Sequence, residues 1–162
     1  MTDSYTILRW FARELNERMA KERITARQLS YVTRLSLRSI SGYLDGNSFP
    51  NMWSLSLMAE QLHCTVDDLL GYKKIRSVSR TKREPIKMTF ANEDEYTTYL
   101  RERVKDRMQK IGINAKELSR ISGVSQTTID RYLCVHSGLP QTHAFLHICD
   151  ALDCTPSELS GY

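Results

Sequence analysis

The stretch ELSRISGVSQTTIDRYL, Glu117 to Leu133, decides the fold. Two short runs with helical apolar spacing flank the tripeptide Gly123-Val124-Ser125. Each run is shorter than the ~12–15 residues an isolated helix needs in water. Both therefore depend on neighbours for stability. Gly123 is placed to reverse the chain in a left-handed conformation, and Ser125 to start the next helix as its N-cap. Leu118, Ile121, Val124 and Ile129 are expected to face inward, and the small Ser119 to let the second helix cross closely over the first.

A second stretch, QLSYVTRLSLRSISGYL from Gln28 to Leu44, follows nearly the same pattern with Arg34 where the other has Gly123. Sliding the sequence against itself by 89 residues explains why. Ile24 meets Ile113, Ala26 meets Ala115, Leu29-Ser30 meets Leu118-Ser119, and Ser36 meets Ser125. Ile40 meets Ile129, and Tyr43-Leu44 meets Tyr132-Leu133. Past one inserted residue, Pro50 meets Pro140, Cys64-Thr65 meets Cys154-Thr155, and Gly71-Tyr72 meets Gly161-Tyr162. The period is too long for a solenoid, so this is a duplicated domain. The expected division is 1–72 and 92–162, with a linker over 73–91 and a short extended piece at Ile86 to Phe90. Units this size are near the lower limit for an independent core.

Charge is unevenly placed. Residues 1–72 hold 8 basic and 8 acidic side chains, 73–91 hold 7 and 1, and 92–162 hold 8 and 10. The basic excess of the chain, +4 in all, thus sits in the linker. With 41% hydrophobic and 26% charged residues among 162, the composition is that of a soluble globular protein. No apolar run approaches a membrane span, and the N-terminus lacks the pattern of a signal peptide. The four cysteines, Cys64, Cys134, Cys149 and Cys154, have no tight pair spacing. They read as free thiols, and the expected compartment is the cytoplasm.

The secondary structure reads as all-α, with five helices per unit. Thr25 with Gln28, Asn114 with Glu117, and Thr65 with Asp68 have capping-box spacing. Ser36 and Ser125 are natural N-caps, and Thr155 precedes Pro156, a favoured first helical residue. Asn51 and Gln141 follow prolines that break the chain before the fourth helix of each unit. Two short helices joined by a tight turn form a helix-turn-helix.

NAKELSRISGVSQTTIDRYL and ITARQLSYVTRLSLRSISGYLDGNSFPNMWSLSLMAEQLHCTVDDLL resemble the Cro/C1-type (XRE) helix-turn-helix family. The second carries the run after the reader helix, ISGYLDGNSFP, and the closing pattern MAEQLHCTVDDLL. The resemblance covers both units. It implies two tandem five-helix, lambda-repressor-like domains joined by a basic linker, and double-stranded DNA as partner. In that family the third helix enters the major groove and the second crosses the phosphate backbone. The resemblance puts Leu37, Arg38 and Gly42, with Ser39 at the edge, at base-facing positions of the first unit. In the second unit these are Gln126, Thr127 and Arg131, with Thr128 at the edge. Phosphate-facing positions are Thr25, Arg27, Gln28 and Ser36, and then Asn114, Lys116 and Ser125. Glutamine pairs bidentately with adenine, arginine with guanine, and a threonine methyl touches a thymine methyl.

Three departures stand out. Arg34 occupies the turn-glycine position of the first unit, Gly42 offers no side chain where the family usually reads a base, and Cys134-Val135-His136 replaces the usual acidic, polar and glycine residues after the second reader helix. Lys73, Lys74, Arg76, Arg80, Lys82 and Arg83 of the linker either tether the units or reach phosphate or the minor groove. Trp53 and Leu57 form a stripe on helix four, read as core or as an interface. His143 and His147 align with these two residues, so no metal site is expected, and no cofactor. No catalytic constellation is present. The sequence leaves two functions open. One is a sequence-specific transcriptional regulator, most simply a repressor occupying an operator. The other is an interaction or assembly module in which one or both units no longer read DNA. It also leaves open a homodimer and a monomer acting as a pseudo-dimer.

Overall fold

The structure, a computed structural model, describes residues 4–72, 89–135 and 137–162. The described residues form two compact units: 4–50 with 54–72 and Tyr162, and 51–53 with 89–161. Among them every regular element is a helix. Five precede the undescribed segment: α1 (Ser4–Glu22), α2 (Ala26–Thr33), α3 (Leu37–Leu44), α4 (Met52–Gln61) and α5 (Val66–Leu69). Five follow it: α6 (Glu93–Ile111), α7 (Ala115–Ser122), α8 (Gln126–Leu133), α9 (Thr142–Ala151) and α10 (Pro156–Ser160).

Caps fix where these helices begin. Thr25, Thr65, Asn114 and Thr155 each form a reciprocal capping box with the residue three positions on. Ser36 and Ser125 accept from the backbone N–H of Ser39 and Thr128. Each such cap satisfies helix-end donors that burial would otherwise leave unpaired, and losing one typically costs about 1 kcal/mol.

Burial supplies the rest. In the first unit Phe11, Leu15, Leu29, Ile40, Leu55, Met58, Leu62 and Leu69 are fully enclosed. Phe11 stacks on Phe49 and meets Tyr43 edge-on. In the second, Tyr96, Leu100, Val104, Leu118, Ile129, Phe145, Ile148 and Leu152 do the same. Each enclosed aliphatic or aromatic side chain contributes about 1.5–3 kcal/mol. Short helices such as α2, α3, α7 and α8 are held this way.

One expectation fails. Ile121 is 48% exposed, whereas Leu118 and Ile129 are buried and Val124 is half-buried. On α7 the inward stripe runs through Leu118 and Ser122. At about 100° per residue, position 121 falls on the flank of that stripe. Of the extended piece expected over 86–90, residues 86–88 lie outside the described residues. Thr89 and Phe90 carry no regular structure, and Phe90 packs its ring on Tyr96 and Tyr99.

Candidate nucleic-acid interface

The turn between α7 and α8 is built from three local bonds. Gly123 is left-handed (φ 71°), and its N–H donates to the Ser119 carbonyl at 3.0 Å. The Ser119 hydroxyl donates to the Val124 carbonyl at 2.7 Å, and Val124 N–H donates to the Ser122 hydroxyl at 3.2 Å. The first unit repeats this pattern. Ser30 donates to the Leu35 carbonyl at 2.6 Å, Leu35 N–H donates to Thr33 at 3.4 Å, and Arg34 takes the left-handed conformation (φ 58°). Arginine thus adopts the same turn that glycine adopts, at a steric cost of about 1–2 kcal/mol.

Beyond each turn an exposed polar face emerges. On α8, Ile129 and Tyr132 point into the core, and Gln126, Thr127, Thr128 and Arg131 are exposed. The Gln126 amide donates to Asp130 at 3.0 Å, and the Ser125 and Thr128 hydroxyls pair at 2.8 Å. On α3, Ile40 and Tyr43 are buried, Leu37 and Arg38 are exposed, and Ser39 is half-buried beside Ser36. Gly42 is half-buried, and a Cβ there would lie 2.9 Å from the Ser48 hydroxyl. Position 42 therefore faces the loop that follows α3.

Thr25, Arg27, Gln28, Ser36, Asn114, Lys116 and Ser125 are all exposed. Several are already engaged in capping. Gln28 accepts from Thr25 N–H through its oxygen, which leaves its amide N–H groups to donate outward. Asn114 likewise accepts through Oδ1. The helix-start N–H groups beside them form an electropositive end suited to phosphate. Around the first turn the exposed cations are Arg23, Arg27, Arg34 and Arg38, against Glu22 and Asp45. Around the second they are Lys116, Arg120 and Arg131, against Glu117 and Asp130.

Three features escaped the sequence reading. Arg101, only 2% exposed, donates from Nε to the Tyr132 carbonyl at 3.1 Å and from Nη2 to the Ser137 carbonyl at 3.0 Å. Asn16 donates to the Leu44 carbonyl at 3.1 Å, at the end of α3. Tyr31 is 86% exposed on α2 beside Val32 and Arg34. The first two are long-range side-chain bonds to main chain, and such bonds leave no periodicity to read. The alignment could have flagged Tyr31, because Arg120 stands in the matching position.

Lys73, Lys74, Arg76, Arg80, Lys82 and Arg83 lie outside the described residues. Trp53 and Leu57 are half-buried, and the Trp53 ring lies 5.3 Å from Tyr96 within the second unit. His143 and His147 are half-buried, and no group of three metal-ligating side chains occurs among the described residues. Among them also, no helix is long and apolar enough to cross a membrane.

Residues 103–162 match the family model of the Cro/C1-type HTH DNA-binding domain. This segment of the chain is therefore similar to a DNA-binding helix-turn-helix domain of that type. No curated protein and no solved structure matches the chain.

Proposed function

We propose that the chain is a sequence-specific DNA-binding transcriptional regulator, most simply a repressor, built from two tandem Cro/C1-type units of which only the second matches the family model. The observation that carries this reading is α8 itself. It presents Gln126, Thr127, Thr128 and Arg131 on an exposed face, at the end of a glycine turn inside the matched segment. These side chains have the donors, acceptors and methyl groups that base edges require. Thr25, Arg27, Gln28 and Ser36 on one unit, and Asn114, Lys116 and Ser125 on the other, would hold the phosphates. The linker cations would add sequence-independent attraction. The boundaries 1–72, 73–91 and 92–162 belong to the same proposal.

Selection of duplexes from a randomised pool by the full chain, followed by salt-titrated binding, tests this. The expected result is an enriched motif bound far more tightly than a mixed-sequence duplex. Arg38→Ala and Gln126→Ala should each cost about 1–3 kcal/mol on that motif with folding intact. No enrichment would remove the reading. A motif bound equally well by both variants would remove the reader assignment.

A second reading has its own support. Tyr31, Val32 and Leu37 are exposed on the first unit by 86%, 44% and 41%. Such an apolar grouping suits a protein surface better than a phosphate backbone. On this reading the second unit reads DNA and the first mediates assembly. Light scattering of the chain then shows a homodimer, whereas a chain that uses both readers as a pseudo-dimer stays monomeric.

A further inference from the structure

The C-terminal end of α8 is closed in an unusual way. The last four carbonyls of a helix have no partner within it. Here Cys134 N–H bonds the Asp130 and Arg131 carbonyls, and the Ser137 hydroxyl bonds those of Arg131 and Cys134. The Tyr132 carbonyl is taken by Arg101, which reaches across from α6. The same guanidinium holds the Ser137 carbonyl, so one side chain grips both the end of the helix and the loop that leaves it. Arg101 is 2% exposed, and its hydrogen-bond partners among the described residues are main-chain carbonyls. A buried cation is costly to desolvate. It is compensated here by two carbonyl dipoles and by the negative end of the helix. An apolar side chain would fill the same space without that cost, so packing alone does not account for an arginine.

We propose that Arg101 is a positioning residue for the second unit, clamping the end of α8 to Ser137 beyond it so that Gln126, Thr127 and Arg131 meet the bases in one register. The inference rests on the DNA reading above. Arg101 lies two residues before the segment that matches the family model, and the aligned residue of the first unit is Ala12. There Asn16 reaches the end of α3 instead, at the Leu44 carbonyl. The two reader helices are therefore held by different groups, a guanidinium fork in one and a single amide in the other.

The fork matters because it is planar and spans two acceptors at once. Lysine keeps the charge but offers a point donor without that fixed geometry. Arg101→Lys thus separates charge from geometry, and Arg101→Met removes both. The probe is the duplex that the wild-type full chain selects from a randomised pool, with a mixed-sequence duplex as control. Measurements are made well below each variant's unfolding temperature. Arg101→Lys is expected to weaken the selected duplex roughly tenfold, comparable to one lost base contact. Binding to the mixed-sequence duplex and its salt slope should stay at the wild-type level, because phosphate contacts elsewhere remain. Amide exchange over 131–134 and at Ser137 should accelerate. A purely stabilising residue would lower the unfolding temperature and leave the ratio of specific to non-specific binding unchanged, and that result overturns the proposal. If Arg101→Met does not fold, Arg101→Lys decides alone. If the wild-type chain selects no duplex, the DNA reading fails and this role fails with it. Wild-type selection with an unaffected Arg101→Lys variant defeats only the clamp.

Discussion

The Ser119 hydroxyl donates to the Val124 carbonyl at 2.7 Å, bridging the turn between α7 and α8 from one side to the other. Ser30 and Leu35 stand in the same relationship at 2.6 Å, 89 positions earlier. Serine recurs at this place because the bond satisfies a carbonyl that the turn leaves without a backbone partner. Ser119→Ala should destabilise the second unit by about 0.5–1.5 kcal/mol, and Ser30→Ala the first by a similar amount. Urea unfolding measures both. Wild-type midpoints in both variants would mean that water replaces the hydroxyl at no cost.

Gly123 and Arg34 share a left-handed conformation at matching turns. A Cβ at Gly123 would meet nothing within 4 Å. The cost of Gly123→Ala is therefore conformational only, about 1 kcal/mol. Arg34→Gly relieves the corresponding strain and should stabilise the first unit by up to about 1 kcal/mol. Part of that gain is offset by the freer unfolded chain. Opposite shifts in the unfolding midpoint are the expected signature, and shifts of the same sign would contradict it.

These turns also show what the sequence made legible. The caps at Thr25, Ser36, Thr65, Asn114, Ser125 and Thr155 are local, each depending on residues three positions apart, and all are present. Helix order followed from these caps and from the 89-residue repeat. Inward facing was less secure near stripe edges. Ile121 is apolar yet exposed, since residue type does not say where a stripe ends. The outward positions of α8 came from the family resemblance, and the structure leaves Gln126, Thr127, Thr128 and Arg131 exposed. The Gln126 bond to Asp130, the grip of Arg101 and the closeness of Gly42 to Ser48 were not visible in advance. Each depends on three-dimensional side-chain placement that no local pattern encodes.

Cys64 ties stability to pH. Burial pushes its thiol up to about 12, with Arg18 partly opposing. The unfolded chain's thiol ionises near 9, so between these values the unfolded state carries fewer protons than the folded one. Stability from this group is complete below pH 9 and is lost as pH rises toward 12. By pH 10 the loss should be about 1 kcal/mol. Cys64→Ala lowers stability at every pH but should show a shallower alkaline decline. Parallel curves for the variant and the wild type between pH 8 and 10 would remove Cys64 as the cause.

Asp130 restrains the reader face in two ways. It holds the Gln126 amide at 3.0 Å, and it places a carboxylate on the exposed surface of α8. A base contact by Gln126 must displace the first, and approach to phosphates must overcome the second. Asp130→Ala should therefore bind any duplex a few-fold more tightly, with folding within about 0.5 kcal/mol of the wild type. The comparison is made at two salt concentrations, since the charge effect shrinks with screening. Weaker binding by Asp130→Ala would show that the pair holds Gln126 in its working conformation instead.

Gly42 is where the two reader helices differ most. Arg131 projects from α8, whereas position 42 of α3 carries no side chain and an added Cβ would lie 2.9 Å from the Ser48 hydroxyl. Ser48 is exposed, and its hydroxyl can rotate away. Glycine inside a helix costs about 0.5–1 kcal/mol relative to alanine. Gly42→Ala should thus be neutral or stabilising by up to roughly that amount. A backbone-limited site would instead lose stability, so the sign of the change reports whether the 46–48 loop can yield. Gly42→Arg then tests function. It gives α3 the side chain that α8 has at Arg131 and adds a cation beside Arg38. If α3 lies in a major groove, Gly42→Arg should tighten binding to mixed-sequence duplexes severalfold and steepen the salt slope by about one unit. Unchanged affinity and slope in a folded Gly42→Arg variant would place α3 away from DNA. The exposed Tyr31, Val32 and Leu37 would then remain as the working surface of the first unit.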